Sequence, residues 1–594
     1  MNIFTLVKSD IAEIISQLQT EGTLPADLPV DALDVMPPRE ASHGDMATNA
    51  AMVLGQKSGK KPREVADLLV ERIRKIPGIE SVEIAGAGFI NLRFAPAFWH
   101  KSVTAILRDG NSYGNSTIGG NRKINIEYVS ANPTGPMHVG HGRGAVYGDA
   151  LSMLLLKAGF NVTKEYYIND AGAQVDKLAT AAALRYLQAL GTEVSEETIA
   201  GYYPGDYLVA VGEALKAEYG DKLAIKSVTG AYELRPEKEW LPQVRAFSIE
   251  AMMELIKEDL RYLGIEHDVF TSERAITDAG RIEEALTELE KKRLIYVGVL
   301  EPPKGKVPDD WEPREQTLFR STEFGDDVDR AIKKSDGSWT YFAPDIAYHY
   351  DKIKRGFNLM VDVLGADHGG YAKRIQSAVK ALSNNEANLD IKLCQMVKLT
   401  RGGEQVKMSK RKGTIITARE VVEEVSRGVF RFIMLTRKND AMLDFDFEKV
   451  TEQSKDNPVF YVQYAHARAK SALRMAREEA GIAGAFSESP TEEQLALLTH
   501  PAELSLIRLM ATFPRVIEMA ALAHEPHRIA FYLHDLASEF HSLWNLGNSD
   551  VSLRFIQKDA TDLTAARLAL VRACANVVAC GLTVLGVEPL EEMR

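Results

Sequence analysis

The sequence contains few cysteines. Only Cys394, Cys574 and Cys580 occur among 594 residues, and no two of them have CxxC spacing. A disulfide framework or a structural zinc site needs several cysteines at characteristic spacings. The sequence therefore predicts neither, and we expect three buried free thiols.

Long hydrophobic runs are also missing. No stretch approaches the roughly 20 apolar residues that a helix needs to cross a bilayer, and the N-terminus lacks the charged start and apolar run of a signal peptide. We therefore expect a cytoplasmic, monomeric protein without a membrane partner. With 45% hydrophobic and 26% charged residues, the 594-residue chain should form three or four globular domains.

An excess of positive charge is absent, since the formal net charge is -12. This balance is unfavourable for a protein that binds nucleic acid over its whole surface. Binding to a large folded RNA needs only local basic strips, and solvated helix faces would explain the same residues equally well. The candidates are Arg427, Arg431, Arg437, Lys438, Arg468, Lys470 and Arg474.

Two short motifs are suited to binding a nucleotide triphosphate. The histidine motif, His138-Val139-Gly140-His141, precedes a helical apolar pattern, so it should lie where a loop enters a helix. Free backbone N–H groups at such a terminus attract phosphate. The lysine motif, Lys407-Met408-Ser409-Lys410, supplies cations that can follow charge onto leaving pyrophosphate.

Together the motifs resemble those of class I aminoacyl-tRNA synthetases, in form and in order. Further motifs, which extend over nearly the whole chain, are similar to those of the arginyl-tRNA synthetase family: Glu127-Tyr128-Val129-Ser130-Ala131-Asn132-Pro133-Thr134-Gly135-Pro136, Tyr167-Ile168-Asn169-Asp170-Ala171-Gly172, Tyr203-Pro204-Gly205-Asp206-Tyr207, Phe324-Gly325-Asp326-Asp327, Tyr341-Phe342-Ala343-Pro344-Asp345 and Gly365-Ala366-Asp367-His368.

The resemblance implies two reaction steps. Arginine and ATP would form arginyl-adenylate and pyrophosphate with Mg²⁺ assisting, and arginine would then pass to the 3′ terminal ribose of tRNA(Arg). It also implies that activation requires bound tRNA. The implied catalytic residues are His138, His141, Lys407 and Lys410.

The resemblance also implies the residues that bind each substrate. ATP would contact His138, Gly140, His141, Gly365, Asp367, His368, Met408, Ser409 and Lys410. Arginine would contact Glu127, Ser130, Asn132, His141, Gln174, Tyr341 and Asp345, because a guanidinium favours carboxylates beside an aromatic wall. Asp367 could instead cap the next helix, and each acidic residue could instead be a surface charge.

The predicted fold is α/β. A strand at 124–129, a helix and a strand at 162–168 form one βαβ unit, and 360–364 forms another strand of the same parallel sheet. The predicted domains are an α+β N-terminal domain (1–110) that contacts the tRNA corner, a Rossmann-like catalytic domain (120–400) with a connective insertion at about 175–330, a region with the lysine motif and stem contacts (401–456), and a helical anticodon-binding domain (457–594).

Three alternative functions remain at this stage. Gly140-His141-Gly142-Arg143-Gly144-Ala145 has the form of a dinucleotide-binding loop, with Glu165 about twenty residues further on. Nine or more residues, two prolines among them, separate that loop from its strand, which disfavours this reading. The second alternative is a non-catalytic tRNA-binding module. The presence of both motifs disfavours it, because such a module need not retain them. A synthetase for another amino acid, such as cysteine or glutamate, is the third alternative.

Overall fold

The structure is a computed structural model that describes residues 2–28, 32–38, 40–228, 230–300, 314–406, 416–478 and 490–593. It divides into two compact units. One comprises Met1–Ile118 together with Gln453–Arg594, and the other comprises Gly119–Glu452. The two ends of the chain therefore belong to one unit, although the sequence suggests separate domains for them.

The first unit begins with an α+β segment. Its elements are α1 (Ile3–Thr20), β1 (Val35–Met36), β2 (Met46–Thr48), α2 (Ala50–Ser58), α3 (Pro62–Ile73), β3 (Ile79–Ala85), β4 (Phe89–Phe94) and α4 (Pro96–Asp109). The strands form an antiparallel sheet in the order β1-β2-β4-β3. The alternating pattern at 81–94 predicts two short strands around a glycine turn, and the structure confirms them as β3 and β4. Gly86 and Gly88 in that turn have φ of 54° and 138°, values that favour glycine.

The second unit contains the predicted α/β fold. Its elements are β5 (Lys123–Glu127), α5 (Val139–Lys157), β6 (Asn161–Ile168), α6 (Ala173–Ala189), α7 (Glu196–Ala200), α8 (Tyr207–Tyr219), β7 (Ala224–Lys226), β8 (Tyr232–Leu234), α9 (Glu237–Tyr262), β9 (Val269–Ser272), α10 (Glu273–Asp278), α11 (Arg281–Lys291), β10 (Ile295–Gly298), β11 (Gln316–Phe319), β12 (Arg330–Lys333), α12 (Phe342–Lys354), β13 (Leu359–Gly365), α13 (Ala372–Leu382), β14 (Asn388–Cys394), β15 (Val397–Arg401), β16 (Glu404–Gln405), α14 (Ala418–Val425), α15 (Arg427–Met434), β17 (Leu443–Asp446) and α16 (Phe447–Thr451).

The main sheet has five parallel strands in the order β14-β13-β5-β6-β9. The chain leaves β5 towards β6 on one side and returns to β13 on the other, so the strand order reverses between β5 and β13. Ligands of open α/β sheets bind at the carboxyl ends of strands where the order reverses. This end of the sheet is therefore the candidate site, and the predicted parallel α/β fold is confirmed.

Two details of this sheet differ from the sequence-based prediction. Strand β5 ends at Glu127, because Val129 and Ser130 have left-handed φ of 71° and 39°. The range predicted for the insertion contributes β9 as the edge strand of the main sheet. A strand of four residues carries too short a pattern to be recognised by its periodicity.

The rest of the first unit is helical, as predicted. It comprises α17 (Pro458–Glu478), α18 (Glu492–Leu495), α19 (Pro501–Ala511), α20 (Phe513–Ala523), α21 (His527–Ser549) and α22 (Thr561–Val584). The apolar pattern at 504–517 predicts one helical run, which the structure divides between α19 and α20, and Pro514 lies in the first turn of the second helix. Within the unit, the imidazole of His100 in α4 lies 3.0 Å from the carbonyl oxygen of Leu498.

Helix α22 is more apolar than expected, since the sequence was predicted to contain no run of membrane-spanning length. Among the described residues it is the one helix long and apolar enough to cross a membrane, and 83% of its most apolar window is buried inside the protein. It packs against α17, α21 and α4. A helix that is hydrophobic on all sides is typical of a protein core, which is the position of α22 here.

Candidate active site

The histidine motif lies at the N-terminus of α5, as predicted. His138 is the N-cap residue, and its Nδ1 accepts a hydrogen bond from the backbone N–H of His141 at 3.3 Å. The two imidazoles stack with their centroids 3.6 Å apart. A Cβ atom on Gly140 would lie 3.0 Å from the His138 ring, so glycine leaves room for this arrangement.

Burial favours the neutral form of both histidines. Burial lowers the pKa of His138, while burial and the neighbouring His138 lower the pKa of His141 to about 3. The buried Nδ1 of His141 has no hydrogen-bond partner among the described residues. The pair therefore offers imidazole N–H donors to a phosphate rather than two positive charges.

The lysine motif, Lys407, Met408, Ser409 and Lys410, lies outside the described residues. The chain that follows it is fixed beside the histidine motif. Ala418 donates its backbone N–H to the Met137 carbonyl at 2.8 Å, and Val139 donates to Ile416 at 3.3 Å. The chain from Ile416 onward therefore lies against the N-terminus of α5.

The loop after β13 lies at the same end of the sheet as the loop after β5. β13 pairs in parallel with β5, with Asp362 opposite Glu127. Residues 366–371 form a 3-10 helix that begins after Gly365 and includes Asp367 and His368. The side chain of Asp367 is 83% exposed and makes no helix cap, so it is accessible to a ligand.

Glu127 ends β5, and its side chain is buried. One oxygen accepts from the Ser130 hydroxyl at 3.0 Å, and the other accepts from the Lys352 ammonium at 2.7 Å. The Ser130 hydroxyl also accepts the Tyr167 N–H at 3.1 Å. The left-handed backbone at Val129 and Ser130 makes this turn, and such strain in non-glycine residues clusters at functional sites.

Asn132 and Gln174 are brought together, as the arginine-binding prediction requires. The Asn132 side-chain amide donates to Gln174 Oε1 at 3.0 Å. The two residues are 42 positions apart in the chain, and both are exposed. They present polar amide groups that can bind the α-amino and α-carboxylate ends of an amino acid.

Tyr341 and Asp345 lie at the start of α12. Tyr341 is the N-cap residue and is 84% exposed, and Asp345 lies in the first turn. Tyr371 donates its hydroxyl to the Asp345 carboxyl. Burial, with a smaller contribution from the nearby carboxyls of Glu273 and Glu127, raises the pKa of Asp345 to about 7 despite this bond. A guanidinium at this point would stabilise the ionised carboxyls.

Three residues near this site were not predicted from the sequence: Glu273, Lys352 and Tyr371. Glu273 begins α10 after the edge strand, and Lys352 lies near the end of α12. Neither belongs to a motif quoted above. A sequence signal existed only for Tyr371, which follows the loop of Asp367 and His368 by three residues.

One buried group of side chains has ligand atoms close enough to hold a metal ion. These are Glu127, His349 and Asp362, whose ligand atoms lie within 4.8 Å of one another. The Lys352 ammonium already occupies this group, at 2.7 Å from Glu127 and 3.2 Å from Asp362. It does not fit Mg²⁺, which in nucleotide sites is held by substrate phosphates and few protein groups.

The structure excludes a dinucleotide site at the glycines of α5. Gly142 packs inside the protein, where an added Cβ would lie 2.7 Å from the Phe430 ring. Glu165, which would bind a ribose, is buried and accepts two contacts from Arg355 at 2.9 Å. Gly142 therefore serves the packing of α5 against Phe430.

The predicted basic strips divide into buried and exposed residues. The prediction for Arg431 is wrong, because its side chain is fully buried and pairs with Asp149 at 2.5 Å. In α17, Lys470 pairs with Glu591 at 2.8 Å and Arg474 with Glu592 at 3.5 Å. Arg437 and Lys438 are exposed. The three cysteines are buried, as predicted.

Comparison with known proteins identifies the family. Three family models match: the arginyl tRNA synthetase N terminal domain at residues 5–94, the catalytic domain of class I (R) tRNA synthetases at 102–471, and the DALR anticodon binding domain at 462–593.

Individual relatives agree with these models over the whole chain. The arginine–tRNA ligases of Cereibacter sphaeroides strain KD131 and Roseobacter denitrificans are 58% and 56% identical over 594 residues, which is 100% of both chains. The Thermus thermophilus arginyl-tRNA synthetase structure has the same fold, with a TM-score of 0.68 at 21% identity over 98% of this chain and 99% of that chain. The chain belongs to the arginine–tRNA ligase family of class I tRNA synthetases.

Proposed function

We propose that this protein activates L-arginine with ATP and transfers it to the 3′ terminal ribose of tRNA(Arg). The observation that carries the proposal is that two candidate binding surfaces lie at the end of the sheet where the strand order reverses between β5 and β13. One surface is the stacked histidine pair at the helix terminus. The other contains the Glu127 and Asp345 carboxyls, which lie close enough for Glu127 to raise the pKa of Asp345.

Arginine binds with its guanidinium against the carboxyls of Glu127 and Asp345. Charge-assisted hydrogen bonds from a planar guanidinium to carboxylates are among the strongest in proteins. Tyr341, exposed at the start of α12, closes over the side chain as its aromatic wall. Asn132 and Gln174 hold the backbone end of the substrate, and Ser130 orients Glu127.

ATP binds across the N-terminus of α5. The phosphates accept hydrogen bonds from the imidazoles of His138 and His141, with Gly140 allowing close approach. The nucleoside lies along Gly365 and His368, and the exposed Asp367 carboxylate accepts from a ribose hydroxyl. Mg²⁺ enters with the triphosphate and neutralises part of its charge.

The substrates supply the reacting groups. The arginine carboxylate attacks the α-phosphorus, and a terminal ribose hydroxyl of the tRNA later attacks the adenylate carbonyl, so no protein nucleophile is needed. The neutral histidines donate hydrogen bonds to the phosphate oxygens. Lys407 and Lys410 stabilise the charge that develops on pyrophosphate as it leaves.

The tRNA is bound by both units. The helices that match the DALR anticodon binding domain read the anticodon. The N-terminal α+β segment contacts the outer corner of the tRNA, and the exposed Arg437 and Lys438 contact its stem.

The test is ATP–pyrophosphate exchange with each of the twenty amino acids, with and without total tRNA. Exchange with arginine alone, only when tRNA is present, is the expected result. Exchange with another amino acid would preserve the ATP site and overturn the arginine pocket. No exchange under any condition would favour a non-catalytic tRNA-binding protein.

A further inference from the structure

A fully buried lysine lies beneath the proposed arginine pocket. The side chain of Lys352 is 0% exposed, and its ammonium donates to Glu127 at 2.7 Å and to Asp362 at 3.2 Å. The ammonium also lies 4.2 Å from the centroid of the Tyr348 ring. Lysines are almost never fully buried unless they are paired, since removing the charge from water is costly. This one carries no part of the function proposed above.

Lys352 places a positive charge between two carboxyls that the sheet brings together. Glu127 and Asp362 are direct neighbours in the register of β5 and β13, so two carboxylates meet inside the protein. Two buried carboxylates that share a site cannot both ionise without a cation. The Lys352 ammonium lies between them, and the His349 imidazole lies 2.9 Å from the second oxygen of Asp362.

The electrostatics agree with a charged lysine. Burial opposes the charge of Lys352, but Asp362 and Glu127 outweigh it and raise the pKa of the lysine to about 12. Burial likewise opposes ionisation of Asp362, but Lys352 and His349 lower its pKa to about 2. For Glu127, burial is the largest influence and raises the pKa, so its ionised form depends on a nearby cation.

The Glu127 carboxyl is held by two hydrogen bonds and can accept further ones. Each of its oxygens has one hydrogen-bond donor, the Ser130 hydroxyl on one side and Lys352 on the other. A carboxylate offers about four acceptor positions, so a substrate can still bind. One ammonium lies between two carboxyls and can neutralise only one ionised carboxylate, so a cationic ligand would stabilise the ionised form of the other.

We propose that Lys352 is a positioning residue for amino-acid selection, which holds the Glu127 carboxylate towards the pocket in its ionised form. The inference rests on the arginine-binding role proposed for Glu127. A fixed carboxylate favours a guanidinium over a neutral side chain of the same shape. Lys352 therefore contributes to the preference for arginine over citrulline, in which a neutral ureido group replaces the guanidinium.

The experiment is a double-mutant cycle on the full-length enzyme with Lys352→Met, Glu127→Gln and the double variant. KM for arginine, KM for ATP and the arginine-to-citrulline ratio of kcat/KM are measured by ATP–pyrophosphate exchange with tRNA. We expect Lys352→Met to raise KM for arginine about tenfold or more, to lower the selectivity ratio and to leave KM for ATP within about threefold. In the Glu127→Gln background, Lys352→Met should have no further effect on arginine selection.

Arg355→Met is the matched control. Arg355 also lies at the end of α12 and pairs at 2.9 Å with a buried carboxylate, Glu165, which is on the next strand of the sheet. It should lower the melting temperature without changing arginine selection. If Lys352→Met does not fold, Lys352→Gln takes its place, because glutamine keeps a hydrogen-bond donor of similar reach without the charge.

The outcomes separate this inference from the proposed function. Equal losses for arginine and ATP, or additive effects of the two substitutions, would show that Lys352 serves stability alone and would overturn the inference. Unchanged arginine selection in a folded Lys352 variant would do the same. If Glu127→Gln itself leaves KM for arginine unchanged, the arginine pocket proposed above fails instead.

Discussion

The backbone of His138 pairs with that of Thr417 in an isolated antiparallel bridge. Thr417 is also the N-cap residue of α14, where its hydroxyl and the Glu420 side chain form a capping box. The first described residues after the lysine motif are therefore anchored twice, to the N-terminus of α5 and to their own helix.

Lys410→Ala should reduce turnover far more than arginine binding. If its ammonium stabilises the leaving pyrophosphate, its loss should lower kcat by about 100-fold to 1,000-fold, as when a transition-state donor is removed. KM for arginine should change by less than about threefold. The measurement is steady-state aminoacylation, with Lys398→Ala, an exposed lysine on β15, as the control. Lost arginine affinity with retained turnover would contradict the leaving-group role.

Arginine affinity should decrease as the pH falls below 7. The pKa of Asp345 is raised to about 7, so the free carboxyl becomes protonated below that pH and can no longer attract a guanidinium. The dissociation constant for arginine should rise by up to about tenfold per pH unit below 7. Calorimetric titration between pH 5.5 and 8.5 measures this. Asp345→Asn should bind more weakly and show a flat profile, and a pH-independent wild type would refute the assignment.

His141 should act as a neutral donor. With a pKa of about 3 it stays uncharged through the physiological range, so its NMR resonances should not titrate between pH 5 and 8. His141→Ala should lower kcat by about 100-fold, because a hydrogen bond to the phosphates is lost. His141→Asn, which keeps an N–H donor, should retain more activity than alanine. A resonance that titrates near pH 6.5 in the free protein would overturn the neutral-donor role.

Two glycines of α5 should respond in opposite ways to alanine. A Cβ at Gly148 would lie 2.3 Å from Cγ of Tyr128, so Gly148→Ala should destabilise by about 1–3 kcal/mol or more through overpacking. Apart from the backbone of its own helix, no atom of the described residues lies within 4 Å of a Cβ at Gly144, so Gly144→Ala should stabilise by up to about 1 kcal/mol. Melting temperatures of the two variants decide this, and equal shifts would contradict the packing argument.

Substitution of Arg431 should reduce stability, whereas substitution of Arg437 should weaken tRNA binding. Arg431→Met leaves Asp149 buried without its 2.5 Å partner, so it should cost about 3–5 kcal/mol of stability. The exposed Arg437 should affect tRNA instead, and Arg437→Ala should raise the tRNA dissociation constant and reduce its salt dependence. Filter binding at several salt concentrations and thermal unfolding measure the two effects. A stable Arg431→Met with weakened tRNA binding would reverse the assignment.

Local pattern was sufficient for much of the fold and of the site. The apolar run that became β13 ends at Gly365, and the loop before the histidine motif contains two prolines, so both boundaries were visible in the sequence. The histidine pair could be placed at a helix terminus because the helical apolar pattern begins within a few residues of it. The family resemblance suggested both Asn132 and Gln174 as arginine contacts, but only the structure shows that their side chains are hydrogen-bonded to each other.

The tertiary structure decided which charged residues are buried and what they contact. Lys352 pairs with Glu127 across 225 positions, and Arg431 pairs with Asp149 across 282. A lysine or arginine has the same local signature on a solvated helix face as inside the protein, because its partner is brought to it only when distant strands and helices pack. The left-handed turn at Val129 and Ser130 is likewise set by bonds to Glu127 and Tyr167. The sequence by itself determined the motifs, their order and the strands that carry them, and long-range packing alone determined the charge balance of the pocket.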